Sequence, residues 1–382
     1  MAKEIRALTG VRGLAACGVV VYHVHTLHNA YSGAPYSFLN ELLYDGYLAV
    51  DLFFILSGFV MAMSYAQFWR EGWTKNHYFA FLMRRIARIY PLYALMVMVV
   101  AVPILLGLSH AMPLTLPLLA QNLLLIQAWG LSESLNPSSW SISTEWAAYL
   151  LFPLLTIAVF KTHWKFCLGI CIAAVVALAA MQGVTTPAQV DSRDGPMDIF
   201  WMPSMLPLLR CLCEFMLGLA TYRLSRNPAA IRLLSQPLNA YLIAAITFTS
   251  LFLTDADILV VLCIPAFLLV LTVGDNLVTR FMGSRVVFFL GEISYSLYML
   301  HPQFLRIRRI VDAKLAPRLG EGPADAVALC LLYGGLIICS YAAYRLVEKP
   351  CRNYLRRVEQ KWLARQEKAG NPQAADQQAI AT

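Results

Sequence analysis

Apolar runs long enough to cross a bilayer recur from one end of this chain to the other, and that recurrence leaves few folds open. A hydrocarbon core about 30 Å thick takes about 20 helical residues to cross. Backbone inside it has no water to bond, so only helices and closed barrels cross. The alternating segments of an outer-membrane barrel are absent. With 59% of its 382 residues hydrophobic and 14% charged, the chain reads as an all-α polytopic membrane protein rather than a soluble domain.

Spans are expected at about 7–28, 47–66, 87–107, 141–160, 164–182, 203–222, 238–254, 258–274, 286–305 and 324–346. The segment 113–129 is also apolar, but Pro113 and Pro117 interrupt it. Charge decides how to count it. Lys3 and Arg6, the run Arg70 to Arg88, Arg223 to Arg232, Arg280 with Arg285, and the tail from Arg345 all favour the cytoplasm. About ten transmembrane helices put all of them on one side, with both termini cytoplasmic. An eleventh crossing would invert everything after it, so 113–129 is expected to be re-entrant or to lie along the surface. One group conflicts. Arg306, Arg308, Arg309, Lys314 and Arg318 fall in an outward loop, as a basic rim for an anionic substrate or as the sign of a miscount.

No cleavable leader is evident, because the first span is long, carries Arg12 and lacks a small-residue cleavage site. The nine cysteines show no Cys-x-x-Cys pair and no zinc-type spacing, so neither a disulfide framework nor a metal site is expected. A net charge of +8 fits the positive-inside bias and not a nucleic-acid footprint. Residues 1–352 read as one integral-membrane domain, and 353–382 as a cytosolic tail expected to be disordered.

Within the first span, Arg12 and His23 are eleven residues apart. That is about 20° past three full turns and about 16 Å along the axis, so both side chains leave one helical face. A charged and a titratable residue on one stripe of a membrane helix are costly, and they usually face a polar interior. Taken singly, Arg12 could snorkel and His23 could bond a neighbouring helix; their pairing favours function. Asp51 needs a partner inside span two, where Ser57 and Gly58 suit close packing. Arg85 and Arg88 share a helix face, as phosphate ligands or topology anchors. Ser141, Glu145 and Tyr149 form another stripe beside Trp140, with Glu145 expected in the outer half. Arg210 and Glu214 read as a buried pair, more often structural than catalytic. Ser294, Tyr298 and His301 make a further stripe. Two histidines and carboxylates at one depth, with arginines at the other face, suit proton handling and group transfer across the membrane.

These stretches resemble the acyltransferase-3 family of bacterial inner-membrane acyltransferases. The carriers are Ala7-Leu8-Thr9-Gly10-Val11-Arg12-Gly13 with His23, Val50-Asp51 through Ser57-Gly58-Phe59, and Arg85-x-x-Arg88-x-Tyr90-Pro91. Trp140-Ser141-Ile-Ser143-x-Glu145-Trp146 follows, then Arg210 with Glu214, Ser294-Tyr295-Ser296-Leu-Tyr298-x-Leu-His301, and Glu348-Lys349-Pro350. The resemblance implies a multi-pass protein of the inner membrane with acyl-CoA as cytoplasmic co-substrate, no bound cofactor, and a saccharide or glycolipid acceptor on the periplasmic side. It further implies His23 as general base or transient acyl carrier, and Glu145 and His301 as catalytic partners. Arg12, Arg85 and Arg88 would be the acyl-CoA ligands. A proton-coupled transporter of a small polar or anionic solute is the alternative, because intramembrane Arg, His and Asp also mark such carriers.

Overall fold

The computed structural model describes residues 5–32, 42–109, 112–184, 195–200, 204–253 and 255–370. No strand occurs among them. The longer helices, numbered here in chain order, are α1 (Arg6–Ser32), α2 (Ala49–Ser64), α3 (Lys75–Leu105), α4 (Leu116–Leu123), α5 (Trp140–Phe160), α6 (Trp164–Gln182), α7 (Leu206–Leu224), α8 (Pro237–Ser250), α9 (Asp257–Val273), α10 (Arg285–Leu319), α11 (Glu321–Ala343) and α12 (Lys349–Gly370). Each expected span coincides with one of these helices. Six described segments are individually long and apolar enough to cross a bilayer, or seven if the bent pair Pro228–Leu234 and Pro237–Ser250 is one span. The others fall short for visible reasons: α9 has 17 residues, α7 buries Arg210 and Glu214, and α10 carries a run of charged residues along its second half.

Helices α1, α2, α3, α5, α7 and α10 form the centre. Two close approaches set it up. A Cβ on Gly291 of α10 would sit 2.0 Å from the Thr9 carbonyl oxygen of α1, and one on Gly58 of α2 would sit 2.1 Å from the Phe215 carbonyl oxygen of α7. Only glycine lets these backbones meet. Aromatic rings fill the space between α3, α5 and α7, with Phe81 and Phe152 stacked at 4.8 Å and Phe215 edge-on to Phe152 at 6.1 Å. The peripheral helices expose aliphatic side chains, among them Leu168, Ile172 and Val176 on α6 and Leu331 and Ile338 on α11. Such a belt is what lipid-facing helices present.

Three sequence expectations need correction or refinement. The segment 113–129 forms only the eight-residue α4, about 12 Å long and unable to cross. It folds back onto the bundle: the hydroxyls of Tyr93 and Tyr90 donate to the carbonyls of Asn122 and Leu123, at 2.5 and 3.0 Å. The Asn122 side chain in turn bonds the backbone of Leu135 and Glu133. The expected outward loop after 305 is helical, since α10 runs unbroken for 35 residues, about 52 Å. Its amphipathic end is pinned to α11 by the Arg308–Asp325 ion pair at 2.5 Å. The tail expected to be disordered from 353 is helical through Gly370 and packs on α3. There Arg84 pairs with Glu359 at 2.7 Å, and the Phe79 and Trp362 rings meet at 4.4 Å. Pattern reading counted the charges of this segment but not the partner that α3 offers them.

Candidate active site

Two cavities lie in the centre of the bundle. One holds some 800 Å³ of space between Arg12 of α1, residues 53–61 of α2, Arg85, Arg88 and Ile89 of α3, Ser141, Glu145 and Tyr149 of α5, and Ser294, Tyr295 and Tyr298 of α10. The other, some 1260 Å³, is walled by Tyr22 and His23 of α1, Trp140, Asp198, Phe200, Arg210, and His301, Arg306 and Arg309 of α10. Tyr298 lines both. Its hydroxyl lies 2.8 Å from Ser141 Oγ, so this buried hydroxyl pair stands at the boundary.

The arginine cavity is built by periodicity. Arg12 spans from α1 to α10, its Nε donating to Ser294 Oγ and its Nη2 to the Gly291 carbonyl, each at 3.0 Å. The Gly291–Thr9 approach makes that reach possible. Arg85, buried at 7% exposure, donates to Tyr65 OH and Met61 Sδ at 3.1 Å. Its guanidinium also lies 5.5 Å from the Tyr65 ring centre and 5.9 Å from that of Tyr149. The Nε of Arg85 is buried without a hydrogen bond. No carboxylate forms an ion pair with Arg85 or Arg88 among the described residues. Glu145 in the same cavity is the carboxylate that acts on both and makes no direct ion pair with either, so two guanidinium groups facing one carboxylate suit an incoming anion.

The histidine cavity owes one member to a proline. Pro302 has no N–H, so the carbonyl of Tyr298 four residues earlier loses its helical partner. His301 Nδ1 donates to that carbonyl at 2.6 Å. His23 does likewise within α1, donating from Nδ1 to the Val19 carbonyl at 2.8 Å. A carbonyl only accepts, so both rings carry a proton on Nδ1, and in the neutral form the lone pair is on Nε2. The two rings approach to 4.9 Å. His301 is buried and His23 half-buried.

Beside them, Arg210 forks onto Asp51, with Nε at 3.0 Å from Oδ1 and Nη2 bonded to Oδ2. Nε also reaches Glu214 at 3.3 Å. All three are fully buried, at 1% exposure or less. Asp51 thereby has the partner its depth required, and it joins α2 to α7 rather than to the histidines. Above the Trp140 ring the Arg210 guanidinium lies at 6.0 Å.

The stripes therefore converge: Arg12, Arg85, Arg88, Ser141, Glu145, Tyr149, Ser294 and Tyr298 share the first cavity, and His23, Trp140, Arg210, His301 and Tyr298 the second. One grouping needs correction. Glu145, expected beside the histidines, lines the arginine cavity, one helical turn past Ser141 and so beyond the Tyr298 boundary. Ser57, read as a packing residue, faces the same cavity with its Oγ 3.4 Å from Tyr149 OH. Tyr65 escaped notice, and neither Tyr22 nor Asp198, though visible in the sequence, could be placed at a cavity wall from it. A tyrosine near an interface looks like belt, and Asp198 sits in a segment without periodicity. Asp257, which accepts from Tyr47 OH at 2.5 Å and the Met197 N–H at 2.6 Å, holds that segment against the cavity.

A family model described as an acyltransferase domain matches residues 5–345. The protein named acyltransferase MdmB of Streptomyces mycarofaciens is 30% identical over 380 residues, covering 93% of this chain and 93% of its own length. Protein 2 in the picA locus of Rhizobium radiobacter is 41% identical over 88 residues, 23% of this chain and 39% of its own. No solved structure matches.

Proposed function

Because the chain belongs to the acyltransferase domain family, we propose that it moves an acyl group, acetyl in the first instance, from cytoplasmic acyl-CoA to a hydroxyl of a saccharide or glycolipid at the periplasmic face. The observation that carries this reading is the pair of cavities meeting at Tyr298, one lined by arginines and the other by two facing histidines. In this proposal the donor's phosphates sit on Arg85 and Arg88, and its pantetheine arm runs past Arg12 and Glu145 toward the Tyr298–Ser141 boundary. About 16 Å separates Arg12 from His23 along α1, a distance that an extended pantetheine arm covers.

The chemistry then follows from the residues present. His23 Nε2 removes the acceptor's hydroxyl proton as its oxygen attacks the thioester carbon. The hydroxyls of Tyr298 and Ser141 donate to the developing oxyanion. Collapse breaks the carbon–sulfur bond, and the thiolate takes the proton back from His23, so an ester and free CoA leave with charge balanced. His301 packs against His23 and orients the acceptor end. Asp51, Arg210 and Glu214 hold α2 to α7 beside Trp140. Ten crossings of the bacterial inner membrane, with both termini cytoplasmic, complete the proposal; support comes from most of the basic segments, with Arg306 and Arg309 at the histidine cavity the exception.

Transfer of label from acetyl-CoA in membrane vesicles tests this. Label should appear on saccharide with the wild-type protein and vanish with His23→Ala at equal protein level. Substrate-driven proton uptake without acylation would instead establish a carrier and overturn the enzyme reading.

A further inference from the structure

The C-terminal helix looks like an appendage to the membrane domain, yet it packs on α3 and places arginines beside Arg84, Arg85 and Arg88. Two contacts set its register against α3: Glu359 on Arg84 and Trp362 on Phe79. Position numbers fall on α3 as they rise on α12, so the helices run antiparallel. One turn back from Glu359 brings Arg356 near Arg84 and Arg85, and a further turn brings Arg352 near Arg88. Positions 352, 356 and 359 lie at i, i+4 and i+7, on one helical face. The face that places Glu359 against α3 therefore places both arginines there too.

Charge makes this arrangement costly as it stands. Arg352 acts on Arg88 as a neighbouring like charge, and Arg356 is acted on by Arg84 and Arg85 in the same way. Glu145 and Glu348 offset part of the charge on Arg85, Arg88 and Arg352, but the arginines outnumber them. Glu359 is held by Arg84, and Glu348 accepts from Ser296 Oγ. Two guanidinium nitrogens, Nε of Arg85 and Nε of Arg352, are buried without a hydrogen bond. Like charges gathered together, two of their donors buried and unsatisfied, are stabilised by a ligand carrying several negative charges.

We propose that Arg352 and Arg356 of α12 form the second jaw of a polyphosphate clamp, closing with Arg85 and Arg88 of α3 on the pyrophosphate and ribose phosphate of the acyl donor. The proposal rests on the acyl-CoA reading and adds a part of the chain beyond the matched family region, which ends at 345. Under it, the C-terminal helix selects donors that carry a phosphorylated nucleotide and ignores the acyl group.

Equilibrium binding to the full-length protein in detergent separates the possibilities, with CoA, dephospho-CoA and S-acetylpantetheine as probes. Arg352→Ala and Arg356→Ala should each weaken CoA about tenfold, as loss of a charge-assisted bond does, and should leave S-acetylpantetheine unchanged. Arg357→Ala, two residues from Glu359 and so on the opposite face, should bind CoA as the wild type does. Arg356 is exposed, so its variant keeps the test open should Arg352→Ala fold poorly. Wild-type affinity for CoA in both variants, or an equal loss in Arg357→Ala, would overturn the clamp while leaving the donor reading standing. Failure of the wild-type protein to bind CoA at all would remove both.

Discussion

Replacing Gly291 by alanine probes the contact that positions Arg12. The added methyl would lie 2.0 Å from the Thr9 carbonyl oxygen, 2.5 Å from its carbon and 2.8 Å from the Thr9 Cγ2. Backbone is the obstacle, so no rotamer relieves it, and α1 must part from α10 by roughly 1.4 Å to restore an ordinary contact of 3.4 Å. Arg12 follows Thr9 by three residues, and its two 3.0 Å bonds to α10 would open past hydrogen-bond range. Overpacking of this kind costs about 1–3 kcal/mol, and hydrogen bonds to a charged group are worth about 1.5–3 kcal/mol each. Some of the second loss is recovered by rearrangement, so a net destabilisation of about 2–4 kcal/mol is expected. Thermal unfolding of the detergent-purified protein should report a midpoint lowered by roughly 2–5 °C. Gly169→Ala supplies the control, because nothing lies within 4 Å of the added methyl there; its midpoint should hold or rise slightly. A Gly291→Ala protein that melts with the wild type would refute the close-approach argument and the reach assigned to Arg12.

Further outcomes follow from other parts of the structure. Arg85→Ala should raise the KM for acyl-CoA at least tenfold with kcat little changed, since Arg85 is placed at the phosphates and away from the reacting carbon; an unaltered KM would leave it a packing residue. Asp51→Asn should destabilise by about 3–5 kcal/mol by leaving the Arg210 charge undercompensated, and a chemical-denaturation midpoint equal to wild type would contradict the triad. A reporter fused after Thr382 should read as cytoplasmic, whereas a periplasmic signal would break the ten-crossing count.

Much of the site was legible because membrane burial makes polar residues conspicuous. Arg12 with His23, Ser141 with Glu145 and Tyr149, and Ser294 with Tyr298 and His301 each advertise a face by helical spacing alone, and the cavities collect those faces. Depth was harder. Spacing ranks Glu145 along α5 but cannot say which side of Tyr298 it falls on, because that depends on how α5 and α10 slide together. Asp51 and Arg210 are 159 residues apart, and no local pattern announces such a pair. The length of α10 and the order of α12 were missed for a related reason. Both segments are too charged to look like spans, and their helices persist because neighbours supply counter-charges, Asp325 for Arg308 and Arg84 for Glu359.

The most direct test of the two-cavity account is a structure of the full-length protein with a thioether analogue of acetyl-CoA, which cannot transfer its acyl group. Phosphates on Arg85 and Arg88, with the acyl end carried past Tyr298 to lie against the His23 ring, are the expected result. An analogue whose acyl end stays on the arginine side of Tyr298, or whose phosphates sit away from α3, would contradict the account.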